Sequence, residues 1–123
     1  MAAMGCLRTH AISGKVLTFD LKADEDDLFH RARTGRAGRA AKTLVKEGPL
    51  RIALVALRKG ISLKEHDVAG AVSIQVLRGR LALQAAPRQR DLQTRQLVVL
   101  DTGVAHAATA LSDCAILITM AMQ

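Results

Sequence analysis

An all-β domain, a sandwich or small barrel preceded by one short helix, is the fold class this sequence predicts, on three observations. First, from about Lys42 onward the apolar residues come in eight short runs, AKTLVK, LRIALVAL, SLKEH, VSIQVL, RLALQA, QLVVL, AHAATAL and CAILITMA, each bounded by Gly, Pro, Asp or charged residues. Runs of that length between turn formers are strands. Second, a helical pattern is confined to one patch before those runs, so no alternation of strand and helix supports a parallel α/β sheet. Third, 123 residues at 50% hydrophobic content suit one compact domain with a single core.

Residues 1–14 lack periodicity and are expected to form a loosely ordered leader, with residues 15–123 as the single domain. KVLTFD, Lys15 to Asp20, alternates as a first strand would. Asp24 to Arg33 has acids at its opening, bases at its close and Leu28 and Phe29 to bury, which suits a short helix and its dipole. The TGRAG that follows breaks it. Among the eight runs, APRQRDLQTR reads as a polar hairpin loop, because Pro87 cannot donate to a central ladder.

The formal charge is +7. Arg31, Arg33, Arg36, Arg39, Lys42 and Lys46 lie just behind the acidic run Asp24 to Asp27, and a block of acid beside a block of base neutralises itself. Other cations, Arg78, Arg80, Arg88, Arg90 and Arg95 among them, stand near turns. The sequence holds no Trp or Tyr and only Phe19 and Phe29, so a base-stacking platform is missing, and no helix-turn-helix or zinc finger accompanies the charge. The expectation is a solvated basic surface and no specific nucleic-acid binding, with salt-sensitive association with polyanions kept as a third reading. No apolar run approaches the ~20 residues of a membrane span, and MAAMGCLRTH lacks the centre of a signal peptide. A cytoplasmic protein with reduced Cys6 and Cys114 is expected.

The segment GISLKEHDVAGAVSIQVLRG, Gly60 to Gly79, resembles the first motif of the small bacterial cupins: an opening Gly, a His-x-His pair, a Glu and a closing Gly. Gly60, His66 and Gly79 match it, while Val68 replaces the second His and Val72 the Glu. In RQLVVLDTGVAHAATA the second motif is met by Gly103 and His106, with Arg95, Asp101 and Ala110 where Gly, Pro and Asn are usual. The resemblance implies a cupin-type double-stranded β-helix, that is, a jelly-roll barrel, and a homodimer formed by exchange or edge pairing of N-terminal strands. An aliphatic CAILITMA that needs cover on its edge points the same way.

The resemblance also implies where a site lies. Residues two apart on a strand share a face, so His-x-His delivers two imidazoles into a barrel. By that parity His66, Val68, Val72, Ile74 and Val76, with His106 and Ala108 from the second motif, are expected to line the pocket. His66 and His106 are the residues left to hold a divalent metal. Zinc or non-haem iron wants three or four protein donors, and aliphatic side chains occupy two of the four expected positions. Glu65, Asp67 and Gln75 alternate to the opposite face unless the strand bulges. The two histidines therefore stand as a metal site, as a hydrogen-bonding pair that orients a ligand, or as a remnant. The reading favours a small-molecule binding, accessory or sensory module over an enzyme, with a metal-dependent dioxygenase or isomerase using His66 and His106 as the alternative.

Overall fold

The computed structural model describes residues 16–66, 69–85 and 88–123, and for Glu65 and His66 the backbone alone. The leader, Pro87 and Val68 lie outside the described residues. One helix, α1 (Leu21–Thr34), precedes nine strands: β1 (Arg39–Glu47), β2 (Leu50–Leu57), β3 (Ser62–His66), β4 (Gly70–Arg78), β5 (Leu81–Ala85), β6 (Arg88–Leu92), β7 (Leu97–Leu100), β8 (His106–Ala110) and β9 (Cys114–Met122). They form a five-stranded sheet, β1-β2-β9-β4-β7, facing a four-stranded sheet, β3-β8-β5-β6. Every pairing is antiparallel.

Strand parity builds the core. In β4 the burial alternates without a break from Gly70 to Val76, so Val72, Ile74 and Val76 point between the sheets. They meet Leu81, Leu83 and Ala85 of β5, Ala108 and Ala110 of β8, and Cys114 and Ile116 of β9. A second cluster lies on the outer face of the larger sheet, where α1 packs Leu28, Phe29 and Ala32 against Leu44, Val45, Leu54, Ala56 and Ala115. No aromatic residue enters the inner core.

The acids of α1 do more than face the helix dipole. Asp20 caps the helix, its carboxylate accepting from Ala23 N–H at 3.2 Å, a cap that contributes about 1 kcal/mol. Asp24 meets Lys42 of β1 at 2.9 Å with both side chains 20% exposed, and Glu25 meets Arg78 of β4 at 3.1 Å. Arg78 also stacks over Phe29, 4.8 Å from the ring centroid. These half-buried contacts clamp the helix onto the sheet, whereas the exposed Lys22–Asp26 pair adds little.

Four expectations need correction. Val16 to Asp20 form no strand: Asp20 is taken by the helix cap, Phe19 packs on the outer cluster, and Val16 is 92% exposed. The helix begins at Leu21, earlier than the acidic run suggested, because that cap precedes it. Arg88–Leu92 is a strand, paired residue by residue with β5. Backbone pairing needs no apolar side chain, and an edge strand with exposed charge is a usual defence against aggregation. Finally, β9 lies at the centre of its sheet, between β2 and β4, so its aliphatic run is covered on both edges.

Candidate functional site

Between the sheets lies a cavity of about 110 Å³, lined by Leu63 of β3, Val72 and Ile74 of β4, His106 and Ala108 of β8, and Ile116, Ile118 and Met120 of β9. The lining is seven apolar side chains and one imidazole. Alternation explains the β9 contribution, since Ile116, Ile118 and Met120 share a face two residues apart. Gln75 pairs with Leu117 and Leu97 in register and so belongs to the opposite face.

His106 is 4% exposed. Its Nδ1 lies 3.0 Å from the Val104 carbonyl oxygen. A carbonyl can only accept, so Nδ1–H donates, and in the neutral ring the lone pair is left on Nε2. That hydrogen bond fixes the ring's orientation against the apolar wall.

Of the expected pocket residues, Val72, Ile74, His106 and Ala108 line this cavity. Val76 is fully buried in the same core but does not reach the cavity. The backbone of His66 stands directly opposite His106 in register. Leu63 pairs with Ala108, so β3 advances three residues while β8 advances two, and the register shifts between Leu63 and His66. In the sequence Leu63 is out of phase with His66, the residue expected to face inward. Sequence reasoning missed Leu63 for this reason. It missed Ile116, Ile118 and Met120 because CAILITMA is apolar almost throughout, so its residues do not announce which alternate set faces inward.

A metal fits this lining poorly. Among the described residues no three of His, Cys, Asp and Glu gather where they could hold an ion, and a carbon wall leaves a metal's charge uncompensated. Cys114 takes no part in the cavity. Burial, with Asp113 adding to it, pushes its thiol up to about 11, so it stays protonated.

The barrel order and the cavity between its sheets define a jelly-roll protein of the cupin type, and comparison with solved structures agrees. A cupin superfamily protein from Desulfitobacterium hafniense superposes with a TM-score of 0.68 at 16% identity, over 69% of this chain and 78% of that one. An RmlC-like cupin from Shewanella frigidimarina gives 0.66 at 16% identity, over 73% and 80%. A mutant form of salicylate 1,2-dioxygenase from Pseudoaminobacter salicylatoxidans gives 0.69 at 16% identity over 82% of this chain, which spans 32% of that enzyme. No family model and no curated protein matches the sequence. The chain therefore has the cupin-type β-barrel fold. Among the described residues no helix is long and apolar enough to cross a membrane.

Proposed function

We propose that this protein is a small-molecule binding module of the cytoplasm, acting as an accessory or sensory component. The observation that carries the reading is the cavity itself: about 110 Å³ of space faced by carbon on nearly every side, with His106 as the polar group in its described lining. Concave apolar sites with few convergent polar groups are the usual form of ligand pockets. An apolar cavity of roughly 150 Å³ takes up benzene, so the ligand is a small uncharged molecule of about that size. Charged ligands are disfavoured because no charged side chain lines the described wall.

The test is a titration with benzene and phenol, following the methyl resonances of Val72, Ile74, Ile116 and Ile118, beside elemental analysis of protein purified without metal affinity. Binding that shifts those methyls, with no stoichiometric metal, supports the module. Tightly bound iron, manganese, zinc or nickel at one per chain overturns it.

A second reading, a metal-dependent dioxygenase or isomerase, is favoured by the register that sets His66 opposite His106. Cα atoms of such antiparallel partners lie about 4.5–5.5 Å apart. Under it His106→Ala abolishes metal uptake and leaves the fold intact; a parent protein without metal removes it.

We also propose a homodimer. With Val16 to Asp20 outside any strand and β9 central, the support moves to edge strand β7, where Leu97 and Val99 are 56% and 65% exposed. A monomeric mass by light scattering at micromolar concentration counts against it.

A further inference from the structure

At the end of the barrel where β2, β4, β6 and β8 finish, five turns come together: residues 35–38, 58–61, 79–80, 93–96 and 111–113. Hydrogen bonds join them into one surface. Arg58 N–H donates to the Gly38 carbonyl at 2.9 Å, Gly60 N–H to Ala110 at 2.8 Å and Leu111 N–H to Arg80 at 3.0 Å. Lys59 N–H donates to the Asp113 carboxylate at 2.8 Å, Arg80 N–H to Ser112 Oγ at 3.0 Å, and the Thr94 hydroxyl to the Gly79 carbonyl at 2.9 Å.

The side chains on this surface are strongly biased in charge. Arg36, Arg58, Lys59, Arg80 and Arg95 are exposed on the turns, and exposed Arg39 opens β1 beside them, its guanidinium 3.5 Å from the Ser62 carbonyl. The acid in these turns, Asp113, is engaged by Arg33 at 3.8 Å and by the Lys59 amide. The cations of the helix and of the early part of the chain behave differently: Arg31, Arg33 and Lys42 are each paired with an Asp. The unbalanced charge thus takes Arg36 and Arg39 from the basic segment of the sequence. The fold adds the other four cations from turns far apart in the chain.

We infer that this barrel end docks on the phosphate backbone of a nucleic-acid duplex without reading its sequence. Five of the six cations are arginines, whose planar fork matches phosphate oxygens in bidentate fashion. A single strand is disfavoured because both phenylalanines pack in the outer cluster with the helix, which leaves no ring to stack on bases. A bilayer is disfavoured because the turns themselves carry no exposed large apolar residue; of those that are exposed, Val16 and Val99 lie away from the turns and Leu97 alone borders one. A sheet end about 20 Å across, from strands about 4.8 Å apart, spans roughly a dozen duplex phosphates, enough to engage all six cations.

The experiment is fluorescence anisotropy with two labelled 20-base-pair DNA duplexes of unrelated sequence, from 25 to 250 mM NaCl. At about −0.9 per phosphate neutralised, six cations give an expected slope of log K against log salt near −5, equal for both duplexes. Charge reversal at three turn positions, Arg36→Glu with Arg58→Glu and Arg80→Glu, should weaken binding at 50 mM at least 100-fold and flatten the slope by about 3. Reversal of equal size elsewhere, Lys46→Glu with Arg88→Glu and Arg90→Glu, should change affinity less than threefold. Circular dichroism checks that each variant is folded; if the turn triple is not, Arg58→Ala and Arg80→Ala singly should each flatten the slope by about 1. Three results overturn the inference: no binding at 25 mM salt, equal weakening by both triple variants, or tighter binding to phosphatidylserine vesicles than to duplex.

Discussion

Replacing Ala108 by Val places two more carbons on a wall of the cavity and tests whether that space exists. Ala108 is 3% exposed in the middle of β8, opposite Leu63 of β3 on one side and Leu83 of β5 on the other. The cavity offers about 110 Å³, so the added atoms have somewhere to go without displacing a neighbour. At about 0.8 kcal/mol per buried carbon the gain is at most about 1.6 kcal/mol, and an off-rotamer valine gives back about 0.5–1.5 kcal/mol. The expected net change is therefore between about zero and +1 kcal/mol of stability. In a fully packed core the same substitution would cost about 1–3 kcal/mol. Urea denaturation followed by far-UV circular dichroism suits a protein without Trp or Tyr. The same two carbons occupy ligand space, so phenol affinity should fall at least tenfold. A loss of stability above about 1 kcal/mol, or unchanged phenol binding, would refute the reasoning.

Three further outcomes are expected. Gly79→Ala should destabilise far more than Gly60→Ala: both glycines have positive φ, +82° and +87°, but a Cβ at Gly79 runs into the Asp113 carbonyl oxygen, whereas one at Gly60 meets nothing within 4 Å. Melting curves should show Gly60→Ala costing about 1–2 kcal/mol and Gly79→Ala leaving little folded protein. In a Cys6→Ser background, Cys114 should resist thiol reagents in the folded state, and stability should fall as pH rises. The folded thiol sits near 11 against an ordinary 9.0, so its contribution is complete below pH 9 and lost by about pH 11, a change of about 2–3 kcal/mol absent in Cys114→Ala. Arg78→Ala removes the partner of Glu25 and the cation over Phe29, and thermal melts should register about 1–2 kcal/mol, against almost nothing for Lys22→Ala.

Much of the fold was legible because strand parity is a local property. VSIQVL alternates in the sequence itself, and Val72, Ile74 and Val76 follow that alternation inward. Gly60, His66, Gly79, Gly103 and His106 carried the resemblance to a barrel of the right type. The acidic opening of the helix, with Leu28 and Phe29 to bury, was equally local. What the sequence by itself determined was thus the strand inventory apart from β6 and the strand wrongly expected at KVLTFD, the burial of Val72, Ile74, Val76 and Ala108, and the absence of a carboxylate at position 72.

Tertiary structure decided the rest, because those features depend on pairing between distant residues. RQRDL becomes a strand since β5 offers it a ladder, which no side chain of its own announces. KVLTFD alternates but finds no such ladder, and the helix cap claims its last residue. Leu63 joins the cavity because it pairs with Ala108 of β8, which lines the same space, a partnership visible only when both strands are aligned. The distribution of charge is the clearest case. Coulomb interactions depend on distance in space, so Lys42 and Arg33 are neutralised by acids on other elements, while Arg36, Arg58, Arg80 and Arg95, scattered along the chain, are gathered by antiparallel turns at one end of the barrel.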